Sequence, residues 1–331
     1  MKKSITYALS IILLAIVLAG CSESAAKDDG KSARLAVDTA AGGSLQIRAA
    51  KAEGEFEKND VQAELSNFAY GIDTINAILT EQADTGIAAD YALLNSIDRG
   101  ELVILSSLTR STPETLAKSK FLAVKSIDKP ADIKGKNIGV AKGTVAEYHW
   151  AKYLEHLQIS EEDIHYVPYS TPDEAIVGMK KGDIDIVLSS GALATKFQSI
   201  DGVHEIDTLS SANVELTSYL VANRSFVEKN EEVVQGILKA IEQGIAYVKE
   251  NPDGTADIAY KELKLAKEDV LRDLEDSNYT LDFTQDDIDH LNALKTWILD
   301  KGILKEDYSI QDKLYLKPLK TISPASVTYE Q

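Results

Sequence analysis

One cysteine in 331 residues excludes an intrachain disulfide and any metal site that needs paired thiolates. Histidine is nearly as scarce. The five, at positions 149, 156, 165, 204 and 290, never fall in the HExxH spacing that sets two imidazoles on one helix face. No GxSxG elbow and no phosphate-cradling GxxxxGK[ST] loop occurs either. Positive charge is also short: 35 Lys and Arg against 53 Asp and Glu leave a formal net charge of -18. A nucleic-acid partner needs a basic footprint, so that class is set aside. The acidity itself mainly serves solubility. Long apolar stretches are missing too, apart from residues 11–17, a run well short of the roughly 20 residues a spanning helix needs.

That run is flanked by Lys2-Lys3 and by Leu18-Ala19-Gly20-Cys21. A basic start, an apolar stretch and small residues before a break describe a secretory signal peptide over residues 1–20. Leu-Ala-Gly-Cys is more specific, because it resembles the bacterial lipobox, in which the cysteine is lipidated and becomes the first mature residue. Cys21 is therefore the expected lipidation site, where palmitate-type acyl chains would supply membrane affinity. The alternatives are an ordinary signal peptide with an incidental cysteine and an uncleaved anchor. Residues 21–32 are small and charged, which suits a flexible tether.

Past the tether, strand and helix patterns alternate. Strands are expected at 34–37, 61–68, 85–88 and 102–108, and Ile72, Ile75 and Leu79 mark a buried helical stripe. Near 111–122 the pattern resets. Strands at 121–124, from 137, at 164–168 and at 183–188 follow, with a helix over 172–181 and another carrying Trp150, Tyr153, Leu154 and Leu157 on one face. Such alternation predicts an α/β protein with parallel sheets and helical crossovers. "ADTGIAAD" and "GDIDIVLSSG" each run from acid through strand to small residues, an echo that suggests two lobes of similar architecture. After a strand at 217–222 the chain becomes largely helical, with a stripe of Val233, Val234, Ile237, Leu238, Ile241 and Ile245 ended by Asn251-Pro252. Helices at 267–276 and 284–301 complete a tail expected to cover the first lobe. The organisation expected is residues 33–110 plus 217–331 for lobe 1 and 111–216 for lobe 2.

The segment Lys129-Pro130-Ala131-Asp132-Ile133-Lys134-Gly135-Lys136-Asn137-Ile138-Gly139-Val140, followed by Lys142-Gly143-Thr144, carries a resemblance. So do "RLAVD" and "SYLVANRSFVEKNEEVVQGILKAI". Over residues 34–304 the chain resembles bacterial ABC-transporter solute-binding lipoproteins, in the group that handles sulfonates, taurine, nitrate and thiamine pyrimidine precursors. The resemblance implies a periplasmic-binding-protein type II fold: two α/β lobes joined by two crossing strands, closing on a small solute. It implies no cofactor and no catalysis, but delivery to an ABC permease with a cytoplasmic ATPase from the extracytoplasmic face of the cell membrane. Hinges are expected near 108–121 and 210–220, and a body that must close in this way is expected to be a monomer. One departure stands out. The pyrimidine branch follows its first Asp with an aromatic and a proline, whereas Asp38 is followed by Thr39-Ala40-Ala41-Gly42-Gly43, so that branch's ligand does not carry over.

In open α/β sheets ligands bind beyond the carboxyl ends of the strands, near helix N-termini. That rule selects Asp38, Gly42, Gly43, Ser44, Tyr70, Asp90 and Tyr91 in lobe 1. In lobe 2 it selects Gly143, Thr144, Val145, Ser189 and Ser190, with Glu215 and Thr217 near the crossover. The glycines let backbone N–H groups approach a solute. Asp38 has no evident capping duty and is the preferred partner for an ammonium group, whereas Asp73 and Asp90 can equally cap helices. Thr144 forms a capping box with Glu147, although the same hydroxyl can also meet a solute; Thr171 and Glu174 read as a cap alone. Tyr70 and Tyr91 can stack on a solute or simply cover the cleft. Arg110 reads as a salt-bridge partner and His149 as a core or surface residue. A negative wall facing a donating wall suits a solute with one cationic and one anionic end. Two other classes remain beside this one: an enzyme on the same fold acting on a small heterocycle, and a solute-sensing lipoprotein without a transport role.

Overall fold

The computed structural model describes residues 31–39, 44–212 and 214–329. The expected signal peptide, Cys21, most of the tether, Gly42 and Gly43 lie outside them. Four strands open the chain: β1 (Ser32–Asp38), β2 (Gln62–Phe68), β3 (Thr85–Ala89) and β4 (Leu102–Arg110). β1 lies between β2 and β3 and is parallel to both, with Leu35 opposite Leu65 on one side and Thr85 on the other. β4 is buried without interruption from Leu102 to Leu108, the pattern of a strand covered on both faces. Helices α1 (Leu45–Ala52), α2 (Gly71–Leu79) and α3 (Asp90–Leu94) follow β1, β2 and β3 in turn.

The second sheet holds β5 (Lys120–Ala123), β6 (Asn137–Val140), β7 (His165–Pro168), β8 (Ile186–Ser189) and β9 (His204–Thr208) in the order β7-β6-β8-β5-β9. Helices α4 (Val145–Leu157), α5 (Pro172–Lys181) and α6 (Gly191–Gln198) follow β6, β7 and β8. The aromatic stripe expected on α4 packs inward. Phe121 of β5 lies 3.6 Å from the Tyr153 ring and 4.8 Å from that of Trp150, centroid to centroid.

Neither sheet is purely parallel, as the alternation alone had suggested. The chain leaves the first sheet along β4 and returns along β10 (Thr217–Asn223), which inserts antiparallel between β3 and β4. β5 is likewise antiparallel to β8 and β9. The outgoing and returning segments run side by side: the Ser111 N–H donates to the Leu216 carbonyl at 2.7 Å, and the Leu216 N–H donates to Ser111 Oγ at 3.0 Å. Two lobes and two crossing strands result.

The tail contains α7 (Glu231–Glu250), α8 (Lys267–Leu274), β11 (Tyr279–Asp282) and α9 (Gln285–Asp300). α7 buries Val233, Val234, Ile237, Leu238 and Ile241 in the first core, as its stripe predicts. β11 adds an edge strand antiparallel to β4, giving the order β11-β4-β10-β3-β1-β2. The tail also touches the second lobe, since Thr195 Oγ1 on α6 donates to Asp269 on α8 at 3.3 Å. Among the described residues no helix is long and apolar enough to cross a membrane.

Candidate functional site: the cleft between the sheets

The start of α4 and the turn before it meet α2 and α3 of the first lobe. Gly143, held at φ +76°, lies so near α2 that a Cβ there would sit 3.4 Å from Ile72 Cγ1. Val145 and Tyr148, on one face of α4, pack against the core of the first sheet. The helix that follows β6 is therefore an interlobe wall.

Asp90, Glu215 and Thr217, named from strand ends, meet here with a residue that strand-end reasoning missed. Asp90 is fully buried. Its carboxylate accepts from the Tyr91 N–H at 2.7 Å, the Thr217 N–H at 3.0 Å and His290 Nε2 at 2.7 Å. His290 Nδ1 reaches Glu215 at 3.2 Å. Burial alone would lower the His290 pKa, but the hydrogen bond and charge of Asp90, with Glu215 and Asp287 behind it, raise it. Asp90 thus joins the first residue of the returning strand to α9. No local pattern signals this, because 200 positions separate the two side chains.

Tyr91 is almost fully buried and reaches across the cleft. Its hydroxyl donates to Glu147 Oε2 at 3.3 Å, and its ring stacks on Tyr148 with centroids 6.3 Å apart. Burial and the neighbouring Glu147 push its pKa up. Glu147 also accepts from the Gly143 N–H at 2.9 Å. A cavity of about 290 Å³ opens on this flank, lined by Tyr91, Lys142, Glu147, Tyr166, Trp297 and Lys301 among others. Lys301 lies over the Trp297 ring at 5.4 Å and pairs with Glu155 at 3.1 Å across the lobes.

Asp38 is 8% exposed, at the end of β1. Its carbonyl accepts from Ser44 Oγ and from Arg48 Nη2, both at 3.0 Å. Arg48 further binds Asn67 at 2.7 Å and Glu262 at 2.9 Å, so its charge is already committed. Tyr70 precedes α2 and donates its N–H to Asp73 at 3.1 Å, which gives Asp73 its capping duty. Burial pushes the Tyr70 hydroxyl up, helped by its hydrogen bond to Tyr169 of the other lobe.

On the second lobe, Thr144 Oγ1 donates its proton to the Ala141 carbonyl at 2.7 Å and accepts from the Ala146 N–H at 3.2 Å. It caps α4, but without the expected box, because Glu147 accepts from the Gly143 N–H and not from that of Thr144. Thr171 and Glu174 cap α5. Ser190 is exposed, and the N-terminus of α6 behind it receives Asp273 of α8 through the Ala192 N–H at 3.1 Å. Ser189 is buried. Arg110 is committed to ion pairs with Asp282 at 2.7 Å and Asp287 at 2.5 Å. His149 is buried on α4, and desolvation lowers it to about 4 against the opposing charge of Asp90. Among the described residues no group of His, Cys, Asp and Glu is arranged to hold a metal.

A model of the NMT1/THI5-like family matches residues 44–255. The fold is similar to that of the alkanesulfonate-binding protein SsuA from Xanthomonas axonopodis pv. citri bound to MOPS, with 16% identity, 86% of this chain and 98% of that one covered, and a TM-score of 0.75. It is also similar to the desulfurization enzyme DSZB, with 14% identity, 88% and 98% covered, and a TM-score of 0.64. A binding protein of Brucella abortus (strain 2308) is 24% identical over 222 residues, which are 66% of this chain and 67% of its own length. At these identities the solved structures show the fold alone, and this fold carries both binding and catalysis.

Proposed function

Because the chain belongs to the NMT1/THI5-like family, we propose that it is the extracytoplasmic solute-binding component of an ABC importer. In this reading residues 33–110 with 217–331 and residues 111–216 close on a small organic solute and deliver it to a permease. Cys21 carries the lipid anchor, and the body acts as a monomer. The observation that carries the reading is the cleft itself, where α2 and α3 of the first lobe meet the start of α4 in the second beside a paired crossover. The Ser111–Leu216 pairing confines bending to a short stretch, which suits hinge closure. Catalysis is not favoured: the one thiol is at position 21, and His290 is tied between two carboxylates.

For the solute we favour a taurine-like zwitterion over a simple sulfonate, nitrate or a pyrimidine precursor. Asp38, with Gly42, Gly43, Ser44, Tyr70 and Tyr91, would form the wall for a cationic end. Gly143, Thr144, Val145, Ser189 and Ser190 would face an anionic end, with Glu215 and Thr217 at the hinge. A thermal-shift screen tests this. Taurine is expected to raise Tm more than ethanesulfonate, and Asp38→Asn to remove most of the difference, since a hydrogen bond to a charged group is worth about 1.5–3 kcal/mol. Equal stabilisation by the two sulfonates would refute the two-ended pocket, and no response to any solute class would refute the importer reading.

A further inference from the structure

Among the described residues, three buried side chains on α1, on α4 and at the end of β8 carry polar atoms with no partner. Gln46, in the first turn of α1 after β1, is fully buried, and neither its Oε1 nor its Nε2 is bonded. His149, on α4 after β6, is 4% exposed, and its Nε2 is unpaired. Ser189 ends β8 and is 7% exposed, with an unpaired Oγ. Leaving a buried donor or acceptor unmade is costly, so each such atom in a native protein calls for a reason.

Position supplies one. β1 neighbours β3 in the first sheet, and β6 neighbours β8 in the second. His149 lies one turn beyond Val145 on the face of α4 that packs against the first lobe, and Asp90 at the end of β3 acts on it electrostatically. By contrast, the unpaired Thr85 Oγ1 opens β3 at the end remote from the cleft, and Trp150 belongs to the core of the second sheet. The nearby cations are committed: Arg48 to Glu262 and Lys142 to Glu147.

We propose that Gln46, His149 and Ser189 are the solute's polar contacts deep in the cleft, and that these uncharged donors hold its oxygen-acceptor end. The inference rests on the solute-binding reading above. An amide N–H, a neutral imidazole N–H and a hydroxyl can each donate to one oxygen of a sulfonate or carboxylate without bringing a buried cation. They become satisfied only when a solute arrives, so the free protein holds them unpaired for function.

The test uses the full-length protein and Gln46→Leu, His149→Leu and Ser189→Ala, each of which removes an unpaired polar group while changing the buried volume by about a methylene or less. Melting without solute is measured first, then binding of taurine and ethanesulfonate by calorimetry, with ethylamine as the probe lacking acceptor oxygens. The variants are expected to melt at or above the wild-type temperature when free, and to bind the sulfonates at least tenfold more weakly. Wild-type affinity in all three overturns the inference while leaving the importer reading intact. Free variants that melt well below the wild type also overturn it, because the side chains are then structural. If the wild type binds neither sulfonate, the importer reading loses support and free-protein melting decides alone: a rise upholds the three as unpaired site groups, and a fall overturns them.

Discussion

A buried imidazole with a depressed pKa leaves a signature in the pH dependence of stability. His149 titrates at about 4 in the folded protein because burial disfavours its charge, whereas an unfolded histidine titrates near 6.5. Between those values the unfolded chain holds a proton that the folded chain lacks. Stability from this residue is therefore complete above pH 6.5 and declines as pH falls to 4, by roughly 3 kcal/mol in all. His290 has the opposite sign. Its raised pKa contributes stability that is complete below pH 6.5 and is lost as pH rises through the folded value. His149→Leu removes only the first effect. The stability of the variant relative to the wild type, from urea midpoints, is expected to grow steadily as pH drops from 6.5 to 4. Parallel curves would show that His149 is not held neutral by burial. From sequence, Thr144 and Thr171 were recognisable as helix caps because capping is local, and both do cap. His149 gave no such sign: its role depends on α4 facing a lobe whose strands lie far away in the chain.

Packing between elements depends on two glycines that sequence patterning passes over. Gly236 and Gly244 lie on the buried face of α7. A Cβ at Gly244 would overlap the Gln46 carbonyl oxygen of α1, and one at Gly236 would overlap Val61 Cγ2 and the Asn59 carbonyl. Backbone atoms cannot rotate aside, so a methyl group there must push the helices apart. Gly→Ala within a helix gains about 1 kcal/mol in propensity, while overpacking costs about 1–3 kcal/mol. Gly244→Ala is expected to lower Tm by several degrees, and Gln243→Ala, on the exposed side, to leave it within a degree or so. An unchanged Tm for Gly244→Ala would mean that α7 is free to shift. The same contrast explains which elements were legible. β1 to β4 and α5 announce themselves by apolar runs, alternation and a Thr-Pro cap. β9 and β11 are short and at most half-buried, with no apolar stripe to mark them. The antiparallel insertion of β10 is a pairing choice made after the chain has built a whole second lobe. Its residues read as a strand, but nothing in them names the neighbours.

Over the whole molecule, polar contacts tie the lobes along both rims of the cleft. On one rim, Asp273 of α8 meets the N-terminus of α6, Thr195 meets Asp269, and Lys118 pairs with Asp276. On the other, Lys301 pairs with Glu155 and, at 3.5 Å, with Glu161. Exposed pairs of this kind contribute about 0–1 kcal/mol each, and salt screens them. The Asp273 contact differs in kind: its half-buried carboxylate accepts from the Ala192 N–H at the start of α6, a bond that opposes the upward push of burial on its pKa without cancelling it. If the lobes close on a solute as proposed, these contacts would favour closure without it, and a solute that completes its contacts only in the closed form would add to that preference. Asp273→Ala is therefore expected to shift the free protein towards an open form, seen as a larger radius of gyration by X-ray scattering. Saturating solute should restore the compact value. Affinity should fall only by the closed fraction lost, a few-fold to about tenfold, because the contacts inside the cleft are untouched. Raising salt should open the free wild type more weakly, through Lys301 and Lys118. A variant as compact as the wild type, with unchanged affinity, would show that the rims follow closure and do not bias it.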